Sequence, residues 1–174
     1  FPGEKIAVVG GNGAGKSTFF LCCNGVLAPQ KGSVRLKGQE ISRKKRDLNR
    51  LRQCVGLVFQ DPNQQLVGAT VEEEVSFGPM NLGLPKEDVR QRVEKAIRDM
   101  DLQELRERQP YDPSGGEKKR LSIAGVLAME PELILLDEPT AFLDGASSEA
   151  LERILEHLHS QGKTLLFSTH DLDF

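Results

Sequence analysis

An α/β fold with a mostly parallel sheet is predicted for this chain by two features of its sequence. Short apolar runs alternate with segments of helical periodicity, the pattern of βαβ units. The runs are continuously apolar instead of alternating in and out, so helices should cover both faces of the sheet. At 174 residues the chain is long enough for one sizeable core, and a single domain is expected.

Four runs read as strands. Ile6-Ala7-Val8-Val9 passes into glycines and then a helix through Phe19, Phe20 and Leu21. Val55-Gly56-Leu57-Val58-Phe59 ends at Gln60, and Leu133-Ile134-Leu135-Leu136 ends at Asp137-Glu138. Thr164-Leu165-Leu166-Phe167 leads through Ser168-Thr169 to His170. Between them, Val89, Val93, Ala96, Ile97 and Met100 share one face of a helix that starts near Pro85 with acidic residues. A second helix carries Ala150, Leu151, Ile154, Leu155 and Leu158 and should stop near Gly162.

Composition narrows the function classes. Apolar residues make up 38% and charged residues 28%, ordinary for a soluble domain. With 23 basic and 26 acidic side chains, bulk positive charge for binding nucleic acid is absent. No apolar run reaches the roughly 20 residues that span a bilayer, so membrane association requires a partner. The start, Phe1-Pro2-Gly3-Glu4-Lys5, has no signal-peptide layout. Cys22, Cys23 and Cys54 read as reduced core thiols of a cytosolic protein, not as a disulfide framework or zinc site.

Open parallel sheets bind ligands beyond the carboxyl ends of their strands. Here those ends offer a glycine-rich loop with a lysine, a glutamine, two carboxylates and a histidine. Gly10-Gly11-Asn12-Gly13-Ala14-Gly15-Lys16-Ser17 fits G-x-x-x-x-G-K-[ST] between a strand and a helix, the P-loop NTPase arrangement. Glycines let successive N–H groups point at phosphate oxygens, and the next helix adds its positive end, with Thr18 also expected to bind the nucleotide. Lys16 should reach the β- and γ-phosphates of ATP or GTP, with the Ser17 hydroxyl on Mg²⁺.

Asp137 and Glu138 are adjacent on a strand end and therefore point to opposite sides. The natural division gives Asp137 to Mg²⁺ and Glu138 to the attacking water as general base. A solvated acidic turn is the plainer alternative. Gln60 can ligate Mg²⁺ or position water, and His170 can hydrogen-bond the γ-phosphate; each taken alone would read as structural. His157 and His159 lie two apart on a helix and face different ways, against metal binding there.

Ser114-Gly115-Gly116-Glu117 is a capping box before a helix through Leu121, Ile123, Ala124 and Leu127. Two glycines just inside a helix cost about 1 kcal/mol each. Their return is bare N–H groups at a positive helix end, able to hold phosphate. This stretch also resembles the signature motif of ABC ATPases, and the rest of the chain follows that family in order. The phosphate loop is at 10–17, the Q-loop glutamine at Gln60 and the Walker B strand at 133–138. The D-loop aspartate falls on Asp144 and the switch histidine on His170.

The resemblance implies ATP and Mg²⁺ held between two head-to-tail ABC ATPase subunits, in a homo- or heterodimer. Ser114 to Glu117 would grip the other subunit's γ-phosphate, with Asp144 across the same interface. It also implies a nucleotide-binding core at 1–60 and 131–174 and a Q-loop and helical signature subdomain at 61–130. Phe59-Gln60-Asp61-Pro62-Asn63-Gln64-Gln65-Leu66, the segments Thr70–Val75 and Phe77–Leu84, and Gly115–Arg120 are similar to the energy-coupling-factor or cobalt-type importers. There the stretch from Gln64 to Leu84 docks on a transmembrane coupling protein. The resemblance thus places the chain on the cytoplasmic face of the membrane as a peripheral Mg-dependent ATPase, importing a metal ion or vitamin, with no direct nucleic acid.

Pro113 stands where the family has leucine, and Phe142 where a small residue is common. They leave open a catalytically silent scaffold. A soluble ABC ATPase acting on DNA or the ribosome is the alternative from another class; the interval between phosphate loop and signature is too short for a long coiled coil, while a second cassette on a basic linker stays open. The family also carries an antiparallel β subdomain before the first strand, with an aromatic residue on the adenine, and continues past the histidine. Neither lies in these 174 residues, so weak nucleotide binding and exposed apolar surface are expected.

Overall fold

The computed structural model describes residues 2–170. Four parallel strands, β1 (Lys5–Val9), β4 (Val55–Val58), β5 (Leu133–Leu136) and β6 (Thr164–Thr169), form one sheet in the order β1-β6-β5-β4. All four predicted strands are present. His170 and the shared strand ends are within the described residues, while Asp171 to Phe174 lie outside them.

Alternation along the central strands explains the continuous apolar runs. Ile134 and Leu136 face one cluster with Val58, Leu165 and Phe167, packed under helices α3 (Val71–Asn81), α4 (Lys86–Asp99), α5 (Gly115–Leu127) and α6 (Gly145–Ser160). Leu133 and Leu135 face the opposite cluster with Val55 and Leu57, under α1 (Lys16–Cys23) and α2 (Lys45–Cys54) through Phe20 and Leu51. Both faces of β5 are therefore dry, and Ile134, Leu135 and Leu136 are fully buried. At the sheet edge β1 is wetter, with Val9 52% exposed.

The anticipated α4 and α6 match their apolar stripes, with Pro85 at the N-cap of α4. Gly162, at φ 84°, follows α6 in the left-handed region that a helix stop favours. A small antiparallel pair was not anticipated: β2 (Arg35–Leu36) and β3 (Gln39–Glu40), joined by Lys37-Gly38 with φ 49° and 80°. Two consecutive left-handed residues are what a tight two-residue hairpin requires. The three thiols are free and half-buried. Cys23 and Cys54 pack against the α1–α2 cluster, and burial pushes both thiols up from their ordinary value.

Because all four strands run the same way and in register, their carboxyl ends meet at one rim. Val9 lies opposite Thr169, Phe167 opposite Leu136, and Leu136 opposite Val58. Whatever residue follows each strand is delivered to that rim by topology alone.

Candidate functional site

The loop after β1 takes its shape from residues that only glycine accommodates easily: Gly13 and Gly15 have φ of 79° and 95°. Gly15 leads directly into α1, and Lys16 is the first residue of that helix. The Lys16 stem turns back over the loop, where its ammonium donates to the carbonyls of Gly10 and, at 3.3 Å, Gly11. It also lies 3.1 Å from Glu138 Oε1, with both side chains about nine-tenths buried.

Glu138 follows β5 at a sharp corner, with φ 43°. A non-glycine residue there stores strain that surrounding bonds must offset. Those bonds come from β6. The Glu138 N–H donates to Ser168 Oγ at 2.9 Å, and the Ser168 hydroxyl donates to Asp137 Oδ1 at 2.6 Å. His170 Nδ1 reaches Glu138 Oε2 at 2.8 Å. Lys16, Glu138 and His170 thus form a continuous chain across three strand ends.

The two carboxylates diverge. Glu138 lines a cavity of about 380 Å³ with Lys16, Ser17, Thr18, Gln60 and the loop glycines. Asp137 lines a neighbouring cavity of about 420 Å³ with Ser17, Gln60, Asp61 and the rings of Phe59 and Phe142. Ser17 and Gln60 border both spaces. Asn12 and Ala14 line the first, and the Ala14 N–H donates back to the Gly11 carbonyl at 3.2 Å.

The signature residues line neither of these two cavities. Ser114 N-caps α5, its N–H donating to Glu117 Oε2 at 2.7 Å while the Glu117 N–H returns to Ser114 Oγ at 3.4 Å. Those bonds hold the Glu117 carboxyl below the usual carboxylate range, the Ser114 N–H most of all. A Cβ on Gly116 would stand 2.7 Å from Ser147 Oγ and 2.9 Å from Ser147 Cβ. Close packing against Ser147 therefore calls for glycine at position 116. Asp144 caps α6, accepting from Ser147 N–H at 2.7 Å, and that bond depresses its carboxyl. Pro113 is buried, whereas Phe142, on a backbone with φ 66°, is 82% exposed at the border of the Asp137 cavity.

Two residues of the site were missed by the sequence reading. Ser168 ties the Asp137 carboxylate and the Glu138 backbone N–H to β6. Lys119, on α5, is 1% exposed and donates to the carbonyls of Gln60 at 2.6 Å and Phe59 at 3.2 Å. Burial lowers the Lys119 ammonium to about 8, although Asp137 and Asp61 pull the other way. Position 119 is four before Ile123 and seven before Val126, on the buried face of α5. That spacing was the available signal. His159 is bonded to the Gly3 carbonyl at 2.9 Å and His157 to Gln161 at 2.8 Å, each apart from the rim.

A loop of N–H groups, a lysine, two diverging carboxylates and a histidine at one rim form a site for a phosphorylated ligand. The family model described as ABC transporter matches residues 1–141. This chain belongs to the ABC transporter family. Its sheet and helices are accordingly an ABC ATPase cassette on the P-loop fold. Over 171 residues it is 49% identical to the energy-coupling factor transporter ATP-binding protein EcfA of Methanocaldococcus jannaschii, a match covering 98% of this chain and 61% of that protein. Over 171 residues it is 51% identical to the cobalt import ATP-binding protein CbiO of Rhodobacter capsulatus, covering 98% and 61%. The chain thus spans less than two thirds of these relatives' length. Among solved structures, cbiO1 from Clostridium perfringens, part of the transporter complex cbiONQ, superposes with a TM-score of 0.88 at 40% identity, covering 99% of this chain and 69% of that one. The dimeric cassette MJ0796, in a post-hydrolysis state with ADP and Pi, gives 0.85 at 29% identity, covering 99% and 77%.

Proposed function

We propose that this chain is the ATP-binding and hydrolysing part of a motor subunit that drives an energy-coupling-factor or cobalt-type importer. The observation that carries this reading is the continuous chain from Lys16 through Glu138 to His170 beside the phosphate loop. In it, loop N–H groups and Lys16 hold the β- and γ-phosphates. Glu138 accepts a proton from the attacking water, and His170, bonded to the other carboxylate oxygen, orients it.

The donors around Ser17 fit Mg²⁺. Ser17, Gln60 and Asp137 border one cavity and offer hydroxyl, amide and carboxylate oxygens. Among the described residues no cluster of three or more His, Cys, Asp or Glu could hold a metal by itself. That suits Mg²⁺, which takes one or two carboxylates and completes its shell with water and phosphate oxygens. When bound, it would neutralise charge on the transferred phosphate.

The partner reading has two parts. Ser114–Glu117 and Asp144 line neither cavity at the rim, which suits contact with a nucleotide held by a second, head-to-tail subunit; the dimeric relative supports this. A groove of about 460 Å³ between β4, α3 and α5, bordered by Gln65, Val67, Phe77, Leu82 and Met129, suits a membrane coupling protein. Val67, Phe77 and Met80 are exposed beside it, and no helix of the described residues is long and apolar enough to cross a membrane. In this reading the subunit sits peripherally on the cytoplasmic face of the membrane.

A photocrosslinker at Phe77 or Met80 in the full-length natural protein tests the class. An importer motor crosslinks to a polytopic membrane protein. Crosslinks confined to nucleic acid or ribosomal components would overturn the transport reading and favour a soluble ATPase.

A further inference from the structure

The sheet holds β4 only as far as Val58, whose carbonyl accepts from the Asp137 N–H at 3.0 Å. Beyond it the main chain turns away and is held by α5 instead. Lys119 donates to the carbonyls of Phe59 and Gln60. Gln65 closes the other end of the corner: its Nε2 donates to the Ser122 carbonyl at 3.0 Å, and its Oε1 accepts from the Phe59 N–H at 3.2 Å. Three hydrogen bonds therefore fasten residues 59–65 to the signature helix, and a fourth, from the Phe59 N–H to Gln65, braces the corner itself.

We propose that Lys119 is a positioning residue for Gln60, so that the signature helix and the Gln60 corner move as one body and the placement of the Gln60 amide at the rim is set by α5. A lysine is rarely this buried. Here its ammonium is matched to two main-chain acceptors that would otherwise face a dry interior, where a lost donor is costly. Met at this position would preserve the stem and leave both carbonyls unpaired, and the corner could satisfy them only by reorganising toward water. A shift of α5 against the sheet would then carry Gln60 toward or away from Ser17 and Asp137, with which it shares a cavity.

This inference rests on the reading of Gln60 as a site residue in an ATPase, and two measurements on the full-length natural protein separate them. Hydrogen exchange without nucleotide tests the fastening directly. In Lys119→Met, amides of residues 59–66 should exchange about tenfold faster, while those of 121–127 keep their protection. Unchanged exchange in 59–66 would overturn the proposal. A mutant cycle tests the route: Lys119→Met should lower turnover about tenfold, with KM for ATP within about twofold, yet change a Gln60→Ala protein by less than about twofold. An equal loss in both backgrounds also overturns it, because Lys119 would then act independently of Gln60. Should Lys119→Met fail to fold, Lys119→Gln keeps a shorter donor and gives smaller shifts in the same directions. Full turnover by Gln60→Ala would discard the role of Gln60 in hydrolysis, and the exchange of 59–66 would still decide whether Lys119 holds the corner.

Discussion

Around Glu138 the contacts cross the whole sequence: Lys16 reaches it from the first helix, and Ser168 and His170 reach it from the last strand. Around Ser114 the contacts are local. Ser114 and Glu117 satisfy one another three residues apart, and Asp144 does the same with Ser147. The first region is assembled by topology and is closed within one copy of the chain. The second is assembled by helix capping and spends its side chains on its own helix ends, leaving the N–H groups of the first turn as what it can offer outward. A network that is complete in one chain suits bond-breaking chemistry; a self-satisfied helix start suits a surface that binds when another copy arrives.

The largest expected effect breaks the first region without touching the second. Glu138→Gln in the full-length protein keeps the shape but removes the charge facing Lys16 and the base facing water. Steady-state ATP turnover should fall by about 10² to 10⁴-fold, while ATP-dependent dimerisation, measured by light scattering, persists. Unchanged turnover would remove the general-base role from Glu138. Loss of dimerisation as well would mean that rim and signature surface are not separable.

This contrast was partly visible in the residues themselves. The four strands were legible because each contains a short continuous apolar run, and the rim followed from their common direction. The capping box was legible because it is local. Ser168 and Lys119 were not. Ser168 is a small polar residue in an apolar strand, and only the pairing of β5 with β6 places it against the Asp137 carboxylate and the Glu138 N–H. Lys119 sits in the basic run Lys118-Lys119-Arg120, which reads as a solvated face until α5 is rotated against the Gln60 corner. Helix α2 was missed for a different reason: Leu48 and Leu51 are too few among its basic residues to show a stripe. The β2–β3 hairpin was missed because two-residue strands carry no period at all.

A middling effect tests whether the helix start is as tightly set as the packing implies. Alanine at Gly116 would gain about 1 kcal/mol of helix propensity. Its Cβ, however, meets Ser147 Cβ at 2.9 Å, an atom that rotation of the hydroxyl cannot move. Overpacking of that kind costs about 1–3 kcal/mol, so Gly116→Ala should be net destabilising by about 1 kcal/mol in denaturant unfolding. Adding Ser147→Gly should relieve the steric part. A more stable Gly116→Ala protein would show that the contact with α6 is loose and that the glycine serves its backbone N–H alone.

The smallest effect concerns side chains that hold the helical layer together and do no chemistry. Arg106, beyond the end of α4, donates from Nε to Glu72 Oε2 at 2.8 Å and from a second nitrogen to Oε1, while Nη1 reaches Glu94 at 2.9 Å. It thereby ties the first turn of α3 to α4, alongside the Glu72 N–H donating to the Arg106 carbonyl at 3.1 Å. The bond to Arg106 holds the Glu72 carboxyl below its ordinary value. A depressed carboxyl contributes stability that is fully present above the ordinary value of about 4.3 and disappears as pH falls through the lower, folded value. Both side chains are partly exposed, so screening limits the pair to about 1 kcal/mol or less. Glu72→Gln should therefore be slightly less stable than the native protein at pH 7, and the gap in unfolding free energy should shrink as pH falls below the ordinary carboxylate value. A gap that does not shrink on acidification would assign the loss to packing or to the α3 helix start, and the charge would have no part in holding the layer.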